Sequence, residues 1–200
     1  MIEGDIDFTF NENYTVIKFD DTSFYRKRFN RLPESKGVDF LAKGNNHIIM
    51  LEVKDCLGKE ADNRWRIFPN NQKRDTSPTP VDTTDRDSLD IEVPKKVAMT
   101  LACLFGASTK RNLGERNRMD MSKEIISMLN KNDVPNIKVI LFLEGEFSSI
   151  SRSTKMIMDN LMFSIKKKLS WLECEVLVEN LETQKKSYFT ANRIHNTIHD

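Results

Sequence analysis

"GVDFLAKGNNHIIMLEVKDC", residues 37–56, carries an aspartate in its first half and a glutamate and a lysine in its second. Two apolar runs, "GVDFLA" (37–42) and "HIIMLEVK" (47–54), flank "KGNN", whose Gly and Asn residues suit a tight hairpin. Ile48, Ile49, Met50 and Leu51 belong in a core, yet they lead directly into Glu52 and Lys54. Side chains alternate along a strand, so Glu52 and Lys54 share a face with Ile48 and Met50, while Ile49, Leu51 and Val53 anchor the other. A hairpin that sets residue 37 opposite 52 puts Asp39 opposite Met50, on the face of Glu52. The two acids are then diagonal neighbours, with Cβ atoms about 7–8 Å apart or somewhat less. A slip of one residue would turn Asp39 to the other face.

Bulk properties bound what this hairpin can serve. Two hundred residues, 38% hydrophobic and 30% charged, suit one domain with a real core. With 31 basic and 30 acidic side chains the net charge is +1, so a polyanion site must be a local patch. Cys56, Cys103 and Cys174 are odd in number and far apart, which argues against a disulfide framework or zinc site and for a reducing compartment. The N-terminal "MIEGDIDF" lacks the basic and apolar regions of a signal peptide. No apolar run approaches the ~20 residues of a membrane span. The expectation is a soluble cytoplasmic protein with no membrane partner.

Outward from the hairpin, "YTVIKF" (14–19) reads as a strand, and "SFYRKRFNRL" (23–32) as a short helix capped by Asp21, Thr22 or Ser23 and broken by Pro33. Residues 55–88 form a long polar stretch of the kind that is either functional or disordered. "PKKVAMTLACLFG" (94–106) reads as a helix with Pro94 in its first turn, and another helix falls within 113–131. "IKVILFLE" (137–144) is apolar throughout, as a central strand should be. A helix at 153–172 and strands at 173–181 and 187–190 complete the order. Alternating helices and strands after a hairpin argue for an α/β fold, a mixed sheet flanked by helices in one domain over 1–200.

Two carboxylates, a backbone carbonyl and waters make an all-oxygen environment suited to Mg²⁺ or Mn²⁺. Beside such an ion, Lys54 could orient the attacking water and stabilise charge building on a phosphate. Asp39, a hairpin and then Glu52-Val53-Lys54 resemble the Asp…Glu-x-Lys signature of the PD-(D/E)XK nuclease superfamily. The element order, helix, three strands, helix, strand, resembles that superfamily's core. "LEVKDC" followed by "KKVAMTLACLFGA" resembles small uncharacterised bacterial members. The resemblance implies a restriction-endonuclease-like fold and metal-dependent hydrolysis of nucleic acid, with DNA the expected substrate. Asp39 and Glu52 would be metal ligands with the Val53 carbonyl, and Lys54 the catalytic lysine. Many members add a glutamate from the N-terminal helix. Helix 23–32 has no acid, which leaves Glu12, Asp20, Asp21 and Glu34 as candidates. Val38 stands where the usual proline would.

Position sets this Glu-x-Lys apart, because Glu34-Ser35-Lys36 repeats the spacing in a polar turn where a solvated pair is the expectation. In the long loop, "RWRIFPNNQKR" interleaves Arg64, Trp65, Arg66, Lys73 and Arg74, suggesting a DNA-contacting lid whose aromatic stacks on a base. Packing or disorder is the competing reading there. Lys95 and Lys96 could touch phosphate from the next helix, although a solvated face is the commoner use of such a pair. Asp55 reads as an ordinary strand-end acid. His195 and His199 have helical metal-ligand spacing but no further ligand beside them except Asp200, so a fraying tail is expected. The alternative to a nuclease is a catalytically silent member of the fold that binds nucleic acid or a protein. A homodimer would be the natural way to cut both strands.

Overall fold

The structure is a computed structural model that describes residues 1–78, 86–110, 116–130 and 135–194, the segment 116–120 by its backbone alone. In chain order the strands and helices are β1 (Ile2–Glu3), β2 (Ile6–Phe10), β3 (Thr15–Lys18), α1 (Ser23–Lys27), β4 (Phe40–Lys43), β5 (His47–Asp55), α2 (Glu60–Asn63), α3 (Leu89–Ser108), α4 (Arg116–Leu129), β6 (Asn136–Glu144), α5 (Thr154–Lys168), β7 (Glu175–Glu179) and β8 (Phe189–Arg193). A five-stranded mixed sheet runs in the order β3-β4-β5-β6-β7. Its first three strands are antiparallel, and β6 and β7 continue parallel to β5. The α3–α4 pair connects β5 to β6, and α5 connects β6 to β7, as parallel neighbours require.

The alternation read in the hairpin decides which residues face which layer. Ile48 and Met50 join a core with α3, α4 and α5, where Val97, Leu104, Ile125, Leu161 and Ile165 are buried. Ile49, Leu51 and Val53 face a second core, closed by a small antiparallel sheet β1-β2-β8. There Phe8 packs against Phe40, Phe142 and Phe189 with ring centroids 5.1–5.5 Å apart. Both cores lie against one sheet, so the chain is a single α/β domain.

Two expectations need correction, and one segment left unassigned in the sequence proves structured. The acidic N-terminus builds two strands, because Ile6 and Phe8 alternate inward against β8. The first strand of the large sheet precedes α1, so only β4 and β5, not three strands, separate α1 from α3. Helix α3 starts at Leu89, five residues before Pro94. Ser88 opens it, its carbonyl accepting from Ile91 and Glu92, and Pro94 rides inside.

The stretch 55–88 is ordered over its described residues, with α2 and three 3₁₀ turns. Buried Asp90 ties it down: its carboxylate accepts from the Asn70 amide, the hydroxyls of Ser88 and Ser164, and the Lys168 ammonium at 2.5 Å. Asn71 and Ser88 exchange side-chain-to-backbone hydrogen bonds of 3.1 and 2.6 Å. Asn70 and Asn71 adopt φ of 56° and 57° to make these contacts, a conformation Asn tolerates better than most residues. Among the described residues no helix is long and apolar enough to cross a membrane.

Candidate functional site

Strand β4 pairs with β5 in a register that sets Phe40 opposite Leu51 and Leu41 opposite Met50. Continued by one residue, it sets Asp39 directly opposite Glu52, two positions from the diagonal arrangement expected. A shift of two keeps the parity, so both acids stay on one face. Asp39 sits just before β4, where its Oδ2 accepts a 2.7 Å hydrogen bond from the Val53 amide. In extended backbone a residue's carbonyl lies on the same edge as its amide, so the Val53 oxygen also faces the Asp39 side.

Both acids are buried, Glu52 to 1% exposure. Lys54 extends along the same face to 2.7 Å from Glu52 Oε1. Helix α3 then contributes two residues from above. Lys96 places its Nζ 2.6 Å from Glu52 Oε1 and 3.5 Å from Asp39 Oδ1, bridging the pair. One turn earlier, Glu92 reaches Lys54 Nζ at 2.9 Å and, with its other oxygen, Arg66 at 2.5 Å. Three carboxylates and three cations thus form one continuous cluster. One atom is left over: Glu52 Oε2 is buried with no hydrogen-bond partner.

The electrostatics follow from burial and proximity. Burial pushes the Asp39 carboxyl up to about 7, aided by the Glu52 charge and opposed by Lys96 and Lys54. Burial would also raise Glu92, but Lys54 and Arg66 override it and hold its carboxyl at about 2. For Lys54, burial pulls downward, while Glu52 and Glu92 outweigh it and raise the ammonium above its ordinary value. Lys96 is likewise raised, Glu52 prevailing over burial and over repulsion from Lys54.

Asp39 therefore has a measurable pH signature. Its folded value of about 7 exceeds the ordinary 3.8, so the native state holds a proton that the unfolded chain has released between those pH values. Its contribution to stability is complete below about pH 4 and is lost as pH rises through 7. Asp39→Asn, which can still accept from Val53, is expected to gain stability relative to the wild type as pH increases across this window. Urea unfolding at pH 5 and pH 8 measures the difference, and a pH-independent gap would contradict the assignment.

Of the acids considered as a third ligand, Glu12 and Glu34 are exposed, and Asp21 pairs with Arg26. Only Asp20 approaches the cluster. It follows Phe19, whose amide donates to the Asp39 carbonyl at 2.8 Å, and the charges of Lys18 and then Lys96 draw its carboxyl downward. Its Oδ1 is buried without a hydrogen-bond partner, and burial, then Asp21 and Glu3, raise its carboxyl. Asp55 faces away from Glu52 and takes a bidentate grip from Arg193 at 3.0 and 3.1 Å, joining the two sheets.

The lid expected at 64–74 is largely turned inward. Trp65 is 2% exposed, with Arg74 stacked 5.8 Å from its ring, so it presents no face to a base. Arg66 is buried against Glu92, and Arg64 donates to the carbonyls of Glu146 and Phe147. Lys73 is exposed. Lys95 pairs with Asp87 at the surface, whereas Lys96 points into the cluster, so the two neighbours have separate uses. A cleft of about 210 Å³ opens beside Lys54 and Arg66, with Asn63 and Asp55 on its wall. His195 and His199 lie outside the described residues.

Glu92 is the cluster residue missed entirely in the sequence, because reading Pro94 into the first turn of the helix left residue 92 outside any assigned element. A signal existed. Glu92 and Lys96 are spaced i, i+4 beside the buried Val93 and Val97, which places both near the core face of one helix.

No curated protein and no solved structure matches the chain. One family model does, over residues 22–192, a span that holds Asp39, Glu52, Lys54, Arg66, Glu92 and Lys96. The chain belongs to that family, described as a "Family of unknown function (DUF6661)".

Proposed function

We propose that the protein is a divalent-metal-dependent nuclease that hydrolyses phosphodiester bonds of nucleic acid, with DNA as the first substrate to test. The observation that carries this reading is the pair of buried carboxylates, Asp39 and Glu52, facing each other beside Lys54. Holding two acids this close in a buried place is costly, as the raised Asp39 carboxyl records, and such perturbed groups cluster at functional sites. Strand order supports it too: an antiparallel trio followed by a parallel strand after a helical crossover is similar to the PD-(D/E)XK core. The position of α1 after the first strand departs from that pattern.

The donor set fits Mg²⁺ or Mn²⁺. Among the described residues no group of three His, Cys, Asp or Glu forms a metal site by itself. Mg²⁺, however, is characteristically held by one or two carboxylates, with waters and substrate phosphates filling the other positions. Asp39 Oδ1 and the unpartnered Glu52 Oε2 are the oxygens available, with the Val53 carbonyl beside them. When bound, the ion would polarise a phosphoryl oxygen and lower the pKa of a coordinated water.

Lys54 does the remaining work as a cation. Held between the carboxylates of Glu52 and Glu92, its ammonium can donate to the attacking water and to phosphate oxygens. Lys54→Met is expected to slow cleavage by about 10²-fold, the scale of one lost electrostatic donor. The deciding assay incubates the purified protein with duplex, single-stranded and branched DNA in Mg²⁺, Mn²⁺ or chelator. Metal-dependent scission lost in Glu52→Gln supports the reading. DNA left equally intact by both proteins overturns it.

One observation favours a second reading, a catalytically silent nucleic-acid- or protein-binding member of the fold. The Lys96 ammonium stands between the two acids and supplies positive charge to them without a metal. A silent site would bind no Mn²⁺ in a calorimetric titration that Glu52→Gln abolishes.

A further inference from the structure

The ammonium of Lys96 occupies the place between Asp39 and Glu52 that a divalent ion would need. We infer that Lys96 is an exchangeable internal cation, which leaves the acid pair when a divalent ion binds and is received by Asp20. The inference rests on the nuclease reading for the identity of the incoming cation.

Two observations carry it. First, Lys96 Nζ lies 2.6 Å from Glu52 Oε1 and 3.5 Å from Asp39 Oδ1, so a divalent ion on Asp39 Oδ1 and Glu52 would crowd it at contact distance. Like charges in a poorly solvated site repel strongly, and the ammonium must move. Second, the Lys96 side chain is only 13% exposed, so on leaving it requires another anion close at hand. Asp20 meets that need. Its Oδ1 is buried and lacks a hydrogen-bond partner, it is electrostatically linked to Lys96, and it adjoins Phe19, which hydrogen-bonds to Asp39. Lys54 does not take this part, because it is shared between Glu52 at 2.7 Å and Glu92 at 2.9 Å and so keeps a carboxylate wherever the ion binds.

Mn²⁺ affinity, read by calorimetry or by the electron-paramagnetic-resonance signal of free Mn²⁺, tests the exchange without reference to turnover. Lys96→Met is expected to bind Mn²⁺ at least about tenfold tighter than the wild type, the scale on which groups around a metal alter its affinity. Asp20→Asn is expected to weaken binding about tenfold in the wild-type background and to have no effect when combined with Lys96→Met. Lys96→Gln, which keeps a hydrogen-bonding head without the charge, repeats the comparison should Met disturb the fold. Equal affinity in wild type and both Lys96 variants overturns the inference. So does an Asp20→Asn loss of the same size in both backgrounds, which would make Asp20 a metal ligand. Those outcomes with DNA cleavage intact leave the nuclease reading standing. Absence of Mn²⁺ binding in every variant overturns both.

Discussion

Glu52→Gln is expected to lower metal-dependent DNA cleavage by about 10³-fold or more, since a metal's stabilisation of phosphoryl charge is worth several kcal/mol and each 1.36 kcal/mol is tenfold in rate. Gln is the informative replacement. Glu52 is 1% exposed and holds both Lys54 and Lys96 on Oε1, so alanine would strand two buried ammonium groups. Breaking buried pairs in that way costs about 3–5 kcal/mol, and lost activity would then report unfolding. With Gln, the amide oxygen still accepts, Lys54 keeps Glu92, and Lys96 keeps Asp39. Removal of the Glu52 charge also relieves Asp39 of its like-charged neighbour, so the Asp39 carboxylate ionises more readily and pairs with Lys96. A single-turnover assay beside a thermal melt separates the two effects. A Glu52→Gln protein that cleaves within a few-fold of the wild type would remove this acid from the chemistry.

Glu92→Ala should cost about 3–5 kcal/mol of stability, because it leaves buried Arg66 without its carboxylate and deprives Lys54 of one of two. The cost should depend on pH in a defined direction. Glu92 has a folded value of about 2, below its ordinary 4.5, so its stabilisation is complete above about pH 4.5 and is lost as pH falls towards 2. Urea unfolding of wild type and variant should therefore diverge near neutrality and converge in acid. Glu92→Gln, which retains the hydrogen bonds without the charge, should fall between them. An alanine variant as stable as the wild type at pH 7 would show that the Arg66–Glu92–Lys54 chain is not held as described.

How much of this was readable in advance depended on the distance over which each feature is decided. A period of two along "HIIMLEVK" settled which side chains enter which core, since alternation is a local property of extended backbone. The same parity put Asp39, Glu52 and Lys54 on one face even though the register differed by two residues. The N-terminal strands escaped although "IDFTF" alternates as a strand should, because Ile6 and Phe8 find their partners on β8 at the far end of the chain. Trp65 read as an exposed stacking group because basic neighbours surround it, yet folding turned its ring inward under Arg74.

By itself, then, the sequence determined an α/β chain with a two-acid, one-lysine hairpin, because strand alternation and hairpin chemistry act over a few residues. Only the tertiary structure decided what those three residues meet. Glu92 and Lys96 come from a helix some 40 residues further on, and Lys96 bonds Glu52 across a separation of 44. Which helix face lies over a strand end is set by how the apolar sides of both elements pack, with Val93 and Val97 seated against the same core as Met50. Periodicity shows that a helix has such a face, and packing chooses the strand it covers.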